Sequence, residues 1–278
     1  MGNLVLGKNS NSQKDKGIIY YMNQMTIEKL IKAGAHFGHP THRWHPNFKS
    51  YISMKKNGVY IIDLEQTNQC LARASKELTK IVRGGGNVLF VGTKKQAKDA
   101  VQQAADRCGM YYIVERWLGG TLTNFMTIKK SIKRLLALEK ESSPIYKNIT
   151  KKELVMLNRE KLKLSDLHRG IKNMKRLPSA LFIVDGIHEL IAIKEAKQLN
   201  IPTFGVIDSN TDPNKVDFPI PANDDSVKCI RLLMEYITQN LDHLSAKEDS
   251  TEEKSADSKL DNSSNEPLNT KKKEEQGT

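Results

Sequence analysis

The stretch AHFGHPTHRWHP sets histidines at 36, 39, 42 and 45, three residues apart each time. Four imidazoles so close together could ligate zinc, which favours His and Cys donors at short spacing. Gly38, Pro40 and Pro46 break any helix through the stretch, so the regular spacing does not make one ligating face. A closed zinc site wants four ligands, and no cysteine lies near. The set better suited to a metal combines His39 with Asp185, His188 or Asp208, whose aspartates end apolar runs further along the chain. The same stretch interleaves rings with cations: Phe37, His39, His42, Arg43, Trp44, His45 and Phe48. That mixture suits base stacking and phosphate contact with folded RNA. The plainer alternative is that His39 and Trp44 pack the loop onto its domain.

A second candidate is FVGTKKQA, residues 90–97. A strand, a glycine turn, two lysines and a helix start could aim backbone N–H groups at a phosphate. The second glycine and the spacing of a Walker loop are missing, and no G-x-G-x-x-G follows any strand. Gly92 and Thr93 read equally well as a tight strand-to-helix turn. Asp185 and Asp208 end strands at what would be the carboxyl edge of a sheet, where α/β enzymes place catalytic groups. Aspartates at strand ends also cap the next turn or helix. With no G-x-S-x-G and no cysteine in a nucleophile's setting, no catalytic residue is assigned. A nucleotide- or phosphate-binding α/β enzyme with a basic docking hairpin stays as the alternative reading.

Those groups need elements to hold them. TIEKLIKAGAHF reads as a short helix ended by Gly34, and GVYIIDL (58–64) as a strand. A helix at 65–82, a strand in GGGNVLFVGT (84–93), a helix at 94–109 and the strand YYIV (111–114) follow. ALFIVDG (180–186), a helix at 188–200, PTFGVID (202–208) and a last helix near 224–241 resume the rhythm. Continuous apolar strands alternating with amphipathic helices imply a parallel sheet covered on both faces. The fold class is therefore α/β, a doubly wound sheet of flavodoxin-like or Rossmann-like type.

The rhythm breaks at 124–176, where two helical segments follow one another with no strand between. Phe125, Ile128, Ile132 and Leu135 step by three or four, and Leu157, Leu164 and Ile171 by seven. With Pro144 turning the chain between them, this predicts an inserted antiparallel coiled-coil hairpin. It holds 15 Lys or Arg against 5 acids. Lys129 with Lys133 and Lys130 with Arg134 are like-charge i,i+4 pairs, which oppose a helix unless an anion meets them. An adaptor that binds proteins through its helices would want an apolar hairpin exterior, which these lysines contradict.

Net charge is +12 overall, with −3 from 245 onward and hence +15 in the rest. A basic excess gathered in one element is the footprint of a polyanionic partner. Residues 1–24 and 245–278 are polar and aperiodic and read as a disordered extension and a disordered charged tail around an α/β RNA-binding domain at 25–244. Part of the extension can reflect an upstream start, since Met22 and Met25 stand just before the first periodic segment. No apolar run of about 18 residues occurs, which excludes a helical membrane span. Cys70, Cys108 and Cys229 are odd in number and scattered, as buried thiols in a reducing compartment are.

AGAHFGHPTHRWHPNFKSYI, NVLFVGTKKQA, ERWLGGTLTNFMTIKKSIKRL, LPSALFIVDGIHELIAIKEAKQLNIPTFGVIDSNTDP and DFPIPANDD together resemble the bacterial-type S-two family of small-subunit ribosomal proteins. The resemblance runs in order from about Thr26 to Leu241. It implies a non-catalytic component of the small ribosomal subunit in the cytoplasm or an organelle. It further implies a flavodoxin-like domain with a helical hairpin, bound to small-subunit ribosomal RNA between head and body and near ribosomal protein S-one. Candidate RNA contacts are then Arg43, Trp44, Lys49, Lys55, Lys56, Lys94, Lys95, Arg116 and Trp117, followed by Lys129, Lys130, Lys133, Arg134, Lys172, Lys175 and Arg176. His42 and His45 depart from the family's usual cation and asparagine, and Ile187 and Leu190 stand where other members place acid or histidine. No metal or other cofactor is expected, with zinc at His39, Asp185, His188 and Asp208 as the minor alternative.

Overall fold

A computed structural model of the chain describes residues 27–140, 146 and 149–241. The extension, the charged tail and the Pro144 turn lie outside the described residues. A short helix α1 (27–32) leads into strand β1 (Phe37–Pro40), a single helical turn at Pro46–Tyr51, and strands β2 (Ile52–Lys56) and β3 (Val59–Ile62). These strands form a small antiparallel sheet of order β1-β3-β2. GVYIIDL is thus a strand as expected but belongs to this separate sheet. The alternation in β1 and β2 is hidden by glycine, proline and lysine.

Helix α2 (Leu64–Arg83) follows directly, its first turn capped by the Asp63 carboxylate accepting from Glu65 N at 2.9 Å. Then come β4 (Val88–Val91), α3 (Lys98–Arg107), β5 (Tyr111–Ile113), the helix pair α4 (Phe125–Glu139) and α5 (Lys151–His168), and β6 (Ala180–Val184). The chain closes with α6 (Leu190–Gln198), β7 (Thr203–Ile207), β8 (Phe218–Pro221) and α7 (227–241). The main sheet has five parallel strands in the order β5-β4-β6-β7-β8. Strand β8 escapes sequence reading because Pro219 and Pro221 lie in it. An edge strand tolerates them, since only one side of it must donate to the ladder.

Strands β4, β6 and β7 are buried at every residue, as a sheet covered on both faces requires. Their side chains alternate between two cores. Phe90, Phe182 and Phe204 face Leu71 and Leu78 of α2, Val101 of α3 and Leu233 of α7. Leu89, Ile183 and Ile207 belong to the second core, with Trp117, Ile128, Ile132 and Ile193 of α6. The root of α4 is therefore part of the second core.

Along the helix pair, Ile128, Ile132, Leu135 and Leu138 are buried on α4, matching the expected stripe. On α5, Leu157 and Leu164 are half-buried and only His168 is fully buried. Thr150 and Glu153 form a reciprocal capping box that starts α5. Arg134 pairs with Glu160 at 3.0 Å, and Ser131 Oγ meets His168 Nε2 at 2.8 Å. Burial lowers the His168 pKa, so a neutral ring sits in this contact.

Candidate functional site

In the strand order, chain connections depart from β4 toward β5 on one side and toward β6 on the other. The crevice beyond the carboxyl ends of β4 and β6 is where open α/β sheets bind ligands. Here the protein fills it with its own groups. Thr93 donates from N at 2.8 Å and from Oγ1 at 2.6 Å to Glu189 Oε1, so a carboxylate stands where the turn would have held a phosphate. Gly92 serves the tight turn: a Cβ there would lie 2.8 Å from Val101 Cγ2 and 3.2 Å from Ala97 Cβ. Of the two readings of GTKK, the geometry favours the turn.

Lys94 does not face outward for RNA. Its Nζ lies 2.7 Å from Asp224, 2.6 Å from Asp225 and 3.3 Å from Asp185. Burial alone would lower its pKa, but Asp224, Asp225 and Asp185 together hold it above the usual lysine value. Asp185, at φ +74, caps its own turn by accepting from Ile187 N and His188 N at 2.9 and 3.1 Å. His188 itself is exposed. Asp208 accepts from Ser209 N at 2.5 Å and faces His39 Nδ1 at 2.9 Å, while His39 Nε2 lies 3.5 Å from Asp225. The Asp208 bond first, and the neighbouring carboxylates with it, raise the His39 pKa against the opposing effect of burial.

The four histidines do not converge. His36 packs on Phe37 with its ring centre 4.0 Å away, His42 is exposed, and His45 Nδ1 accepts from Asn47 N to cap a turn. Among the described residues, the group that could hold a metal is His39, Asp208, Asp224 and Asp225, whose donor atoms lie within 4.8 Å of one another. Asp185 and His188 drop out of the expected set and two aspartates replace them. Asp224 and Asp225 were invisible as ligands because the strand that delivers them, β8, carries prolines. Asp224 is fully buried, and burial together with Asp185 and Asp208 pushes its pKa up to about 7 despite Lys94. A divalent cation entering there would compete with protons for His39 and Asp224, because metal ligands must be deprotonated.

The other expected RNA contacts divide by exposure. Arg43, Lys49, Lys55, Lys56, Lys95, Arg116, Lys130, Lys133, Lys175 and Arg176 are exposed. Trp44 is half-buried and packs on Tyr60 with ring centres 4.9 Å apart, and Tyr60 is the register partner of Lys55. Small sheet and loop thus seat Trp44 on the ring of Tyr60, whose partner in the strand register is Lys55. Lys130 and Lys133 make no ion pair among the described residues. Lys129, by contrast, donates to the Lys175 carbonyl at 2.6 Å and lies over the Phe125 ring. Arg134 is held by Glu160, and Lys172 is paired with Glu139. The helix pair answers part of its own charge, and the acids on it are better placed than their number suggests.

Trp117 is not a stacking platform. It is buried, and its Nε1 donates to Glu195 at 3.0 Å. The same carboxylate accepts from Gly120 N at 2.8 Å, Leu122 N at 2.9 Å, Thr123 N at 3.1 Å and Thr123 Oγ1 at 3.2 Å. Burial opposes the charge, but these donors outweigh it and hold the Glu195 pKa below the usual value. Glu195 and Glu189 lie within apolar helical spacing, where nothing marks an acid as buried. Met126, Leu154, Val155, Met156 and Leu162 are exposed on α4 and α5, so the exterior mixes apolar with basic groups.

The family model for ribosomal protein S2 matches residues 30–243. The small ribosomal subunit protein uS2 of Acidobacterium capsulatum is 49% identical over 221 residues, which cover 79% of this chain and 73% of that protein.

Proposed function

This chain belongs to the ribosomal protein S2 family, and from that premise we propose that its exposed basic surfaces bind small-subunit ribosomal RNA. Its role is structural: the family is a non-enzymatic component of the cytoplasmic small ribosomal subunit. The observation that carries the RNA reading is Lys130 and Lys133, exposed on one arm of a two-helix projection with a net charge of +10 over 124–176. Arg116, Lys175 and Arg176 extend that surface at its base, and Arg43, Trp44, Lys49, Lys55 and Lys56 form a second patch. Cations without internal partners gain most from phosphate, because contact releases counterions from the nucleic acid.

The fold fits the same reading. Numbered along the chain, the parallel strands stand in the order 2-1-3-4-5, which supports a flavodoxin-like domain. Its α4–α5 pair serves as the inserted coiled-coil hairpin. The working unit is residues 25–244, placed between head and body of the subunit, and 1–24 and 245–278 are dispensable for assembly. The exposed Val155 and Leu162, seven residues apart on one face of α5, favour a protein neighbour in addition to RNA. Ribosomal protein S-one is the neighbour proposed for the particle as a whole.

Co-sedimentation with small subunits depleted of this protein, over a salt gradient, tests the proposal. Binding that weakens steeply with salt supports it, and salt-independent binding would transfer the interface to protein contacts.

A further inference from the structure

We infer that Glu195 is the positioning residue that sets the direction in which the α4–α5 pair leaves the sheet. This rests on the reading that the pair carries RNA contacts. The residue lies on α6, whose Ala192, Ile193 and Ala196 are sealed against the second core. Its carboxylate therefore starts from a rigid base. Five donors from Trp117 to Thr123, the segment that delivers α4, converge on its two oxygens. Oε1 takes the indole N–H and Gly120 N, and Oε2 takes Leu122 N, Thr123 N and Thr123 Oγ1. The spread of donors across both oxygens fixes the rotation of the loop as well as its distance.

The local backbone explains why an acid is needed there. Asn124, the residue before the first turn of α4, makes no side-chain capping bond of its own. Successive N–H groups that point one way form an anion-binding concavity, and a helix start adds favourable dipole. Glu195 supplies that anion from another element, so the start of α4 is tied to α6 across the second core. Hydrogen bonds to a charged acceptor are roughly twice as strong as neutral ones. The return leg is held separately. Gly170 approaches β5 so closely that a Cβ would lie 2.2 Å from the Tyr112 carbonyl oxygen. Entry and exit are thus clamped on two different elements, and loss of the entry clamp leaves α4 held at its root by the buried Ile128 and Ile132 and the return leg by Gly170.

The test uses the full chain with Glu195→Ala and Glu195→Gln, the second retaining shape and one acceptor. Amide hydrogen exchange should quicken by about ten-fold or more at Gly120, Leu122 and Thr123, with β4 and β6 unchanged. Spin labels carried by non-natural amino acids at the exposed Arg159 and Lys76 should show a broadened distance distribution in Glu195→Ala, and a narrower one in Glu195→Gln. Affinity for depleted small subunits should fall in the same order. An unchanged distance distribution and unchanged loop exchange would overturn the role of Glu195 alone. A loosened pair with unchanged subunit affinity would instead keep the positioning role of Glu195 and remove the RNA contacts from the pair. Faster exchange throughout β4 and β6 in both variants would overturn the proposal in favour of a general structural part.

Discussion

Lys94 Nζ lies 2.7 Å from Asp224 Oδ1 inside the protein, so the lysine of the GTKK turn serves the interior and not a phosphate. Removing the cation strands Asp224, which is fully buried, beside Asp185 and Asp208. Lys94→Gln should lower unfolding stability by on the order of 3 kcal/mol, the lower end for breaking a buried pair. Denaturant titration reads this directly. The salt slope of RNA binding should stay unchanged in this variant. A reduced slope with normal stability would return Lys94 to the RNA surface.

Asp224 also sets a pH dependence whose sign can be worked out. Its folded pKa of about 7 lies above the ordinary 3.8, so the folded state holds the extra proton. The corresponding stability is present in full below the unfolded value and lost as pH rises through about 7. The raised His39 acts in the same direction, with its share present below 6.5 and lost as pH passes the higher folded value. Asp224→Asn should flatten this decline. The difference in melting midpoint between the two proteins, followed from about pH 5.5 to 8.5, checks it. Parallel curves would contradict the assignment.

Acid should loosen the helix pair by two separate steps. The lowered pKa of His168 means that stability is present above 6.5 and falls as the buried ring is forced to take a proton. The lowered pKa of Glu195 places its loss further down, below the ordinary carboxylate value of 4.5. Exchange at the 117–124 amides should therefore rise only in the lower window, and His168→Gln should remove only the upper one.

Lys130→Gln with Lys133→Gln should weaken binding to small-subunit RNA and reduce the slope of log K against log salt by about 1.4 to 1.8, at 0.7 to 0.9 per contact. Gln has nearly the helix propensity of Lys, so α4 should persist. Arg134→Gln should change the slope little, because Glu160 already holds that guanidinium. An unaltered slope in the double variant would mean that this face meets solvent or protein.

Trp117→Ala and Arg116→Ala, neighbours in sequence, should behave differently. Loss of the buried indole should cost about 3 to 5 kcal/mol in stability through a cavity in the second core and the lost bond to Glu195. Arg116, which is exposed, should leave the unfolding curve alone and lower only RNA affinity. Stability curves and binding isotherms on the same preparations separate the two.

Much of this molecule is legible along the chain because period and composition are local. VLFV, ALFIV and TFGVI, short apolar runs bounded by turn residues, read as strands buried on both faces, and the run of bases from Lys129 to Arg176 can be counted without a structure. Motifs quoted whole were enough to point to the family. Strands β1, β2 and β8 were missed because glycine, proline and lysine hide their alternation, and an edge strand does not forbid proline.

What a polar side chain does depends instead on which strangers the fold brings to it, and spacing holds no record of that. His39 meets Asp208 and Asp225 from far along the chain, Thr93 meets Glu189, and Lys94 turns to Asp224 beyond the end of β8 at the same edge of the sheet. Trp117 looks like a surface aromatic beside an arginine until Glu195 takes its N–H. Sequence by itself determined the strands, the helices and the sign of the surface. Tertiary structure alone decided which charges remain outside to meet a partner, because a charge drawn into the interior must find its counter-charge there or leave.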